Sequence, residues 1–589
     1  MIGLLLRWLG WVSKASRRRG FLPALAGLAA VLCLPALSVG LQLDDHYLAW
    51  AARGYPGFPD LAQPWYHLFR FADGDPQRVG RMVDAGILPW WSHPELRIAG
   101  FRPLAALTHL LDQAAWSGSP ALMHLQSLLW LALLVAACGA LYRRVFGPSV
   151  VAGLAAFVFA LDDAHGFAAG WLAQRNSLMA ACFGALALLA HHRWRQREGR
   201  RFGLLAPALL ALALLCSEGA VATLAYLGSY ALLCEEGPVH RRLSSLLPAA
   251  LVSVGWAAIY KLTGSGAVGC DFYSDPLKDP LGFLGVFGLR APALLAAQWT
   301  LLPAEGQVFL PDAWLPAHTA LAVLFLLPLL PLALRLLRGD RTARFFAFGM
   351  LGAVVPACAS PSMDRGLVFV GIGAAPLVAM LIERGVSAAV AAEARKRSLE
   401  RVVLGLVVAT HLVVGPLLLP LRAMSPSLRW VPFAQGAETA PADDAIREQE
   451  LVIVHAPDPF TAGLIPITKA LRGEAMPKKV RLLAATLGPL EVWRVDERTV
   501  GLRRTDDRPW QQIVWVRDAA SPLREGERVK VQGLAASVEA ASRGRIVEAM
   551  LTLDRSLEDP RYRWLIWRSG RFEPFALPPV GASATLEAP

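Results

Sequence analysis

Charged residues are scarce in this sequence: they make up 18% of its 589 residues, whereas 55% are hydrophobic. Soluble globular domains carry about 25% charged residues, so this composition excludes a chain built only from such domains. Cysteine is also rare, with seven residues, most of them inside apolar runs. Their spacing matches neither a disulfide framework nor a zinc site, and we assign them no chemistry.

Other features are missing as well. The sequence contains no nucleotide-binding motif and no evident internal repeat. The apolar run Phe21–Leu41 follows Lys14 and the cluster Arg17–Arg19, as in a signal peptide, but it is long and lacks a small-x-small cleavage site. We therefore expect this run to remain in the protein as a membrane anchor.

Long apolar windows are what the sequence does contain, and several approach the ~20 residues that a helix needs to cross a bilayer. They are Phe21–Leu41, Ala121–Leu141, Leu243–Leu262, Ala317–Leu334 and Val402–Leu421. The pattern predicts an all-α polytopic membrane domain with about eleven spans, provided that Leu281–Leu302 lies in the membrane plane or is re-entrant.

The formal net charge of +12 comes from arginines that cluster between the apolar windows. Such clusters mark the cytoplasmic side of membrane proteins, so we interpret them as topology signals and expect no nucleic acid partner. Alternation from a cytoplasmic Arg17–Arg19 then predicts extracytoplasmic loops at about 42–120, 162–174 and 264–316.

The first of these loops, 42–120, is too long for a turn and too apolar for a solvated linker. Its stretches YHLFRF and ILPWW are typical of amphipathic segments that lie along a membrane surface. Beyond Leu421 the charge rises and no window is long enough to cross. We therefore expect a transmembrane domain at 1–423 and an extracytoplasmic soluble domain at 424–589.

The segment 424–589 has short runs with the alternation of strands. Its fold is predicted to be small and α/β or mostly β. PITKALRG indicates a helix, and the predicted strands lie in ELVIVHAPDPF, EVWRVDERTVGLRR, QQIVWVRD, ERVKVQGLA and GRIVEAMLTLD.

Two adjacent carboxylates, Asp44 and Asp45, come directly after the first apolar window. Like charges at the mouth of an apolar region repel each other and are costly to desolvate, which favours a role with a cation or as a proton acceptor. The alternative, that the pair only marks the water boundary of a span, stays open.

Further polar residues lie in the predicted outer loops or within apolar runs. Arg102, before a helix-starting Pro103, carries a guanidinium suited to a headgroup or phosphate. Glu218 lies in apolar surroundings, where acidic residues usually face a cavity or a partner. A third group, which solvated loop polarity would also explain, consists of Asp162, Asp163, His165 and Arg175. A fourth group, predicted on the same outer side, consists of Tyr273, Asp275, Lys278, Asp364 and Arg365.

A series of motifs appears in order: DDH after the first window, FRPLAALTHLL, SPALMHL, ALDDAHGFAAGWLAQR and SE. Over roughly residues 20 to 385 this pattern resembles the polytopic GT-C glycosyltransferases. Within that superfamily it is similar to bacterial protein O-mannosyltransferase-like proteins of glycosyltransferase family 39 and to transmembrane and tetratricopeptide O-mannosyltransferases. No tetratricopeptide repeats follow in this chain.

The resemblance implies roles for individual residues. One carboxylate of Asp44 and Asp45 would be the general base, with Asp44 preferred. The residues implied to bind the donor phosphate or the substrate are Arg102, His165, Arg175, Glu218, Tyr273 and Arg365. This chain departs from the family at Phe167, where an acid is usual, and at Ser217, where a lysine is usual.

The resemblance also implies an activity: transfer of a sugar from a polyprenyl-phosphate carrier to a protein or glycan acceptor, with inversion, at the outer face of a bacterial inner membrane. No metal would be obligatory, although Asp44 and Asp45 are able to hold Mg²⁺ or Mn²⁺. The alternative is a non-catalytic lipid-carrier transporter or membrane assembly scaffold whose outer domain binds a partner.

Overall fold

A computed structural model describes residues 2–390, 398–506, 510, 513–542 and 544–589. Contacts divide the chain into two compact units. The first, called here the helical unit, consists of Met1–Gly40, Phe101–Leu262 and Tyr273–Pro426. The second, the sheet unit, consists of Leu41–Gly100, Thr263–Phe272 and Ser427–Pro589.

The helical unit is built from α-helices joined by short turns. Their bounds are Ile2–Ser16, Phe21–Leu32, Pro103–Trp116, Pro120–Phe146, Val150–Ala160, Ala164–Gly170, Arg175–Arg195, Arg201–Leu214, Ala222–Leu233, Val239–Ser244, Leu247–Leu262, Pro280–Trp299, Gly306–Phe309, Leu315–Leu326, Leu330–Gly339, Arg341–Ala357, Val368–Val390, Ser398–Ala409 and Gly415–Glu438, the last of which continues into the sheet unit.

Local sequence explains where several of these helices begin. Proline occupies the first position of the helices Pro103–Trp116 and Pro120–Phe146, where its missing N–H needs no partner. Asp340 caps Arg341–Ala357, because its carboxylate accepts hydrogen bonds from the backbone N–H groups of Thr342 and Ala343.

Apolar helices long enough to cross a bilayer indicate a multi-pass membrane protein. Within the described residues there are seven, or up to eight if the pair Val150–Ala160 and Ala164–Gly170, bent by 46°, forms one span. The seven are Phe21–Ser38, Pro120–Phe146, Leu172–Arg195, Pro280–Trp299, Leu315–Gly339, Asp364–Ser387 and Leu399–Leu428. Exposed leucines in these helices, such as Leu129 and Leu417, are consistent with contact with lipid.

The predicted count of about eleven spans is not confirmed. Two apolar segments form helices of only 14 and 16 residues, Arg201–Leu214 and Leu247–Leu262, which are shorter than a bilayer crossing requires. Within the segment predicted to lie in the membrane plane or to be re-entrant, Pro280–Trp299 forms one 20-residue helix with the length of a full span.

The sheet unit combines short helices with three sheets. Its α-helices are Asp44–Ala52, Pro76–Asp84, Pro459–Arg472 and Ile513–Val516. Its strands are β1 Arg70–Asp73, β2 Arg97–Ala99, β3 Gly266–Val268, β4 Glu450–Ala456, β5 Lys479–Ala485, β6 Leu490–Arg494, β7 Thr499–Arg504, β8 Arg528–Val531, β9 Leu534–Ser542, β10 Arg545–Leu553, β11 Tyr562–Arg568, β12 Arg571–Pro574 and β13 Ser583–Leu586.

The three sheets differ in topology. β1, β2 and β3 form an antiparallel sheet, and the six-stranded sheet is antiparallel in the order β13-β6-β7-β10-β9-β8. The third sheet has the order β12-β11-β4-β5, with β4 parallel to both of its neighbours. The helix Pro459–Arg472 connects β4 to β5, as a parallel pair requires.

Most of the strand predictions for 424–589 are confirmed, and so is the helix in PITKALRG. The prediction of a strand in QQIVWVRD is wrong: Ile513–Val516 forms a short helix, and the two residues before it lie outside the described residues. An apolar run this short fits a helix turn as well as a strand, so its pattern alone could not decide.

The stretch ILPWW does not form a segment on a membrane surface. Trp90 and Trp91 are buried, and the indole Nε1 of Trp90 donates a hydrogen bond to Leu483 O at 3.1 Å. Trp510 packs edge-on against both rings, and Arg517 donates through Nε to Trp91 O at 2.8 Å. Because these contacts bury the aromatic side chains, residues 41–100 belong to the same compact unit as the C-terminal segment.

A glycine contact within the sheet unit gives the first prediction. A Cβ on Gly463 would lie 2.5 Å from the backbone oxygen of Ile87, so we expect Gly463→Ala to destabilise this unit by about 1–3 kcal/mol through overpacking. The matched control is Gly80→Ala, since a Cβ there meets nothing within 4 Å. The thermal unfolding midpoints of the two variants are measured on the full chain in detergent. Equal midpoints for Gly463→Ala and Gly80→Ala would contradict the close contact at Gly463.

Asp458 gives a second prediction, because its buried side chain caps the helix Pro459–Arg472. Burial raises the pKa of Asp458 from its ordinary 3.8 to about 7, although hydrogen bonds from Thr461 and Phe460 lower it. The protonated carboxyl is therefore favoured in the folded state. Its contribution to stability is full below pH 3.8 and is lost as the pH rises through about 7.

Asn also caps helices but does not ionise. We therefore expect Asp458→Asn to flatten the fall in stability between about pH 4 and 7, measured as thermal midpoints of the full chain in detergent. Asp444→Asn, at an exposed residue, should keep the wild-type slope. A wild-type slope in Asp458→Asn would contradict the prediction.

Candidate functional site

The acidic pair begins the helix Asp44–Ala52 in the sheet unit. Asp45 is buried, with 3% exposure, and its Oδ2 accepts a hydrogen bond from Gln42 N at 2.9 Å. Asp44 is only half-buried. Carboxylates are favoured in the first turn of a helix because they interact with its dipole, so one acid closes the turn and its neighbour is more accessible.

The backbone just before the pair is strained. Leu43 has φ +40° and ψ −101°, outside the regions that residues with a Cβ normally adopt. Strain of this kind persists only where the surroundings enforce it, and it concentrates at functional sites. Here the buried side chain of Leu43 and the Asp45 hydrogen bond hold the turn.

His46 follows the acidic pair and is also buried. Burial lowers the pKa of His46 to about 4, although the charge of Glu438 acts in the opposite direction. The imidazole is therefore neutral near pH 7. It provides no positive charge to offset the repulsion between Asp44 and Asp45.

Arg102 and Glu218 form an ion pair in the helical unit. Arg102 Nε donates to Glu218 Oε2 at 2.8 Å, and Phe101 N donates to Oε1 at 3.1 Å. Burial lowers the pKa of Arg102, but the Glu218 carboxylate and the nearby Tyr273 more than offset this, so that the pKa is raised. Three of the predicted site residues thus interact, and both partners of the pair keep 24% of their side chains exposed.

Local sequence explains how this pair forms. Arg102 occupies the position before Pro103, which starts the next helix. Ser217 caps the 3₁₀ turn that begins at Glu218, because its hydroxyl accepts from Gly219 N at 3.3 Å. Ser217 therefore has a structural role in this turn.

Arg175 lies in a different set of contacts. Its side chain has no exposed surface, and its guanidinium lies 2.6 Å from Asp112 Oδ2. Further hydrogen bonds go to Ser127 Oγ at 3.0 Å and to Met123 O at 2.8 Å. With so many protein partners, Arg175 ties helices together, and few of its donors remain for a substrate phosphate.

A third set of contacts centres on Arg422, which the sequence analysis did not single out. Its Nε lies 3.3 Å from Asp163 Oδ2, its Nη2 2.6 Å from Asp364 Oδ2, and its Nη1 3.4 Å from Glu305 Oε1. Asp162, next to Asp163, accepts a hydrogen bond from Gln298 Nε2 at 2.8 Å. Four carboxylates therefore lie near one guanidinium.

Small residues bring Arg422 to this position. A Cβ on Gly166 would lie 2.7 Å from Leu419 O, and one on Gly170 would lie 2.0 Å from Ala423 O. The GFAAG sequence is a small-xxx-small pattern, which lets two helix backbones approach closely. That pattern, together with an arginine one residue beyond the last apolar window, was the sequence signal for this cluster.

The predicted residues His165 and Arg365 lie beside the same cluster. His165 is buried and interacts electrostatically with Asp163; its ring packs edge-on against Phe159 at 4.6 Å. The Arg365 guanidinium lies 4.9 Å from the ring centroid of Trp171, a cation–π distance.

Within the described residues, no group of three or more His, Cys, Asp or Glu side chains is arranged to hold a metal ion. The carboxylates around Arg422 point to a guanidinium, which occupies the place that a cation would take. Binding of Mg²⁺ or Mn²⁺ at Asp44 and Asp45 stays a prediction.

No protein-family model matches the chain, and no curated protein matches it.

The Arg175–Asp112 pair gives a third prediction. Arg175→Met would leave the carboxylate of Asp112 buried without its partner, so we expect a loss of about 3–5 kcal/mol in stability. The double variant Arg175→Met/Asp112→Asn should recover most of that loss, because it removes both charges. Denaturant unfolding in mixed micelles measures both, and a stable single variant would contradict a structural role.

Proposed function

We propose that the protein is a membrane glycosyltransferase. It moves a sugar from a polyprenyl-phosphate-linked donor to a hydroxyl of a protein or glycan acceptor, on the extracytoplasmic face of the membrane. The main support for this proposal is that the two carboxylates differ in burial. Asp45 is buried and accepts a hydrogen bond from Gln42 N, whereas Asp44 beside it is half-buried. A general base needs this combination of fixed position and access to its substrate.

The strained turn supports a functional interpretation over a simple water boundary. A span that merely ends in water needs neither a buried carboxylate nor a residue with a Cβ at φ +40°. Both features orient the start of the helix Asp44–Ala52, and therefore the direction of the Asp44 side chain.

In the proposed reaction an Asp44 carboxylate oxygen takes the proton of the acceptor hydroxyl. The hydroxyl oxygen forms a bond to the anomeric carbon while the bond from that carbon to the carrier phosphate oxygen breaks. The electron pair of the broken bond leaves with the phosphate, and a single displacement inverts the anomeric centre. Proton removal by a positioned base contributes roughly 10²–10⁴-fold to the rate.

The leaving phosphate gains negative charge, which a fixed cation stabilises. Among the arginines of the helical unit, taken by itself, Arg102 is best suited to bind a phosphate, because Glu218 holds its Nε while a quarter of the side chain is exposed. Arg365, held over Trp171, is the second choice. Arg175 suits it least, since its side chain is enclosed by protein. The proposed displacement requires no metal ion.

Substitution of Asp44 tests the proposal. A deletion strain that carries Asp44→Asn should lose its surface glycan or glycoprotein product, with transfer reduced roughly 10²–10⁴-fold. Asp45→Asn should also lower the product, because it weakens the turn that orients Asp44. Comparison of glycans between strains measures both, with membrane levels of the protein checked by immunoblot.

The matched control is Asp60→Asn, an exposed acid of the same loop, which should retain wild-type product. Wild-type glycosylation in both the Asp44→Asn and Asp45→Asn strains would overturn the general-base assignment. Unchanged glycans on deletion itself would favour the non-catalytic lipid-carrier transporter or assembly scaffold.

A further inference from the structure

Three arginines gather around strands β1 and β2 of the sheet unit. Arg70 begins β1, and Arg97 begins β2 opposite Asp73 in the antiparallel register. Arg78 comes from the helix Pro76–Asp84 and is buried. Arg70 interacts electrostatically with Arg78, Arg97 and Asp73. We call these four side chains the arginine cluster.

Asp73 provides the carboxylate of the arginine cluster. Arg78 Nε lies 3.4 Å from Asp73 Oδ2, and Arg97 Nε donates to the backbone oxygen of Asp73 at 3.1 Å. Arg70 donates through Nη2 to the backbone oxygen of Thr263. In the part of the chain that the structure describes, neither Arg70 nor Arg97 forms a salt bridge with a carboxylate.

The charge of the cluster is therefore unbalanced. Three guanidinium groups and one carboxylate leave a net charge of +2, that is, three minus one. Burial lowers the pKa of Arg70, and the charges of Arg78 and Arg97 lower it further, while Asp73 alone of the carboxylates raises it. Positive charge held together in this way is destabilising unless an anion joins it.

Two buried polar atoms beside this charge have no hydrogen-bond partner among the described residues. They are Arg70 Nε and His67 Nδ1. The His67 side chain is 8% exposed and interacts electrostatically with both Arg70 and Asp73. Burial lowers its pKa to about 4, so its neutral ring still has one N–H to donate. Because buried polar groups are normally satisfied, these two atoms point to an absent hydrogen-bond partner.

We propose that Arg70, Arg97 and His67 bind a dianion of the phosphate class, such as a phosphate monoester or pyrophosphate group. The planar guanidinium binds phosphate oxygens through paired N–H groups. A ligand with two negative charges would balance the net charge of +2, whereas a ligand with a single carboxylate would neutralise only half of it. Arg78 completes the site as a positioning residue through its contact with Asp73. The site does not depend on the proposed glycosyltransferase activity.

Calorimetric titration of the purified full chain in detergent with inorganic phosphate and with pyrophosphate tests the site. The wild-type protein should bind both anions saturably. It should bind pyrophosphate more tightly than it binds chloride, supplied as KCl at equal ionic strength. Arg70→Gln should weaken binding about tenfold or more, as expected for loss of a charge-assisted hydrogen bond. Arg81→Gln, at an exposed arginine on the same helix as Arg78, should bind like wild type.

If Arg70→Gln fails to fold, as judged by its thermal midpoint without ligand, Arg97→Gln provides the same test on the neighbouring strand.

Nanodiscs then identify the source of the phosphate group. Competition between phosphatidic acid and pyrophosphate assigns the site to a lipid headgroup, and equal pyrophosphate binding in phosphatidylcholine nanodiscs with or without phosphatidic acid assigns it to a soluble phosphate. Wild-type affinity in both Arg70→Gln and Arg97→Gln, or no saturable binding by wild type in any of these settings, would overturn the proposal.

Discussion

Charge buried among apolar helices must be matched by opposite charge, because neither lipid nor protein interior can solvate it. The helical unit follows this constraint closely. Arg422 attracts carboxylates from three other chain segments, and Arg175 closes over Asp112. Close glycine contacts at Gly166 and Gly170 allow the backbone approach that the Arg422 cluster requires. The positions of the surrounding helices depend on these pairings.

The sheet unit follows a different constraint, the burial of aromatic surface. Trp90 and Trp91 of the first loop are buried against residues of the C-terminal segment. The helix that begins with Asp44 and Asp45 belongs to this unit as well. The orientation of the proposed base therefore depends on a segment far away in sequence. Loss of the C-terminal segment would remove the packing that shapes the first loop.

Sequence patterns identified much of this organisation, with clear limits. Four of the five predicted apolar windows and most predicted strands of 424–589 match the expectations, whereas the window Leu243–Leu262 forms a helix of only 16 residues. Arg422 and Glu305 were missed, because an arginine after an apolar window is typical of a topology signal. The carboxylate partners of Arg422 are Asp163, Glu305 and Asp364, which lie 259, 117 and 58 residues away along the chain, and no local pattern encodes such pairing.

The sequence by itself determined which segments are apolar, where helices start at proline or a capping acid, and which residues could ionise. Those properties depend on hydrophobicity and backbone chemistry within a few residues. Only the tertiary structure decided that ILPWW is buried, that Asp45 closes a turn while Asp44 stays half-buried, and that Arg175 is enclosed. These outcomes arise from packing and charge pairing between distant segments, whose energies no local window contains.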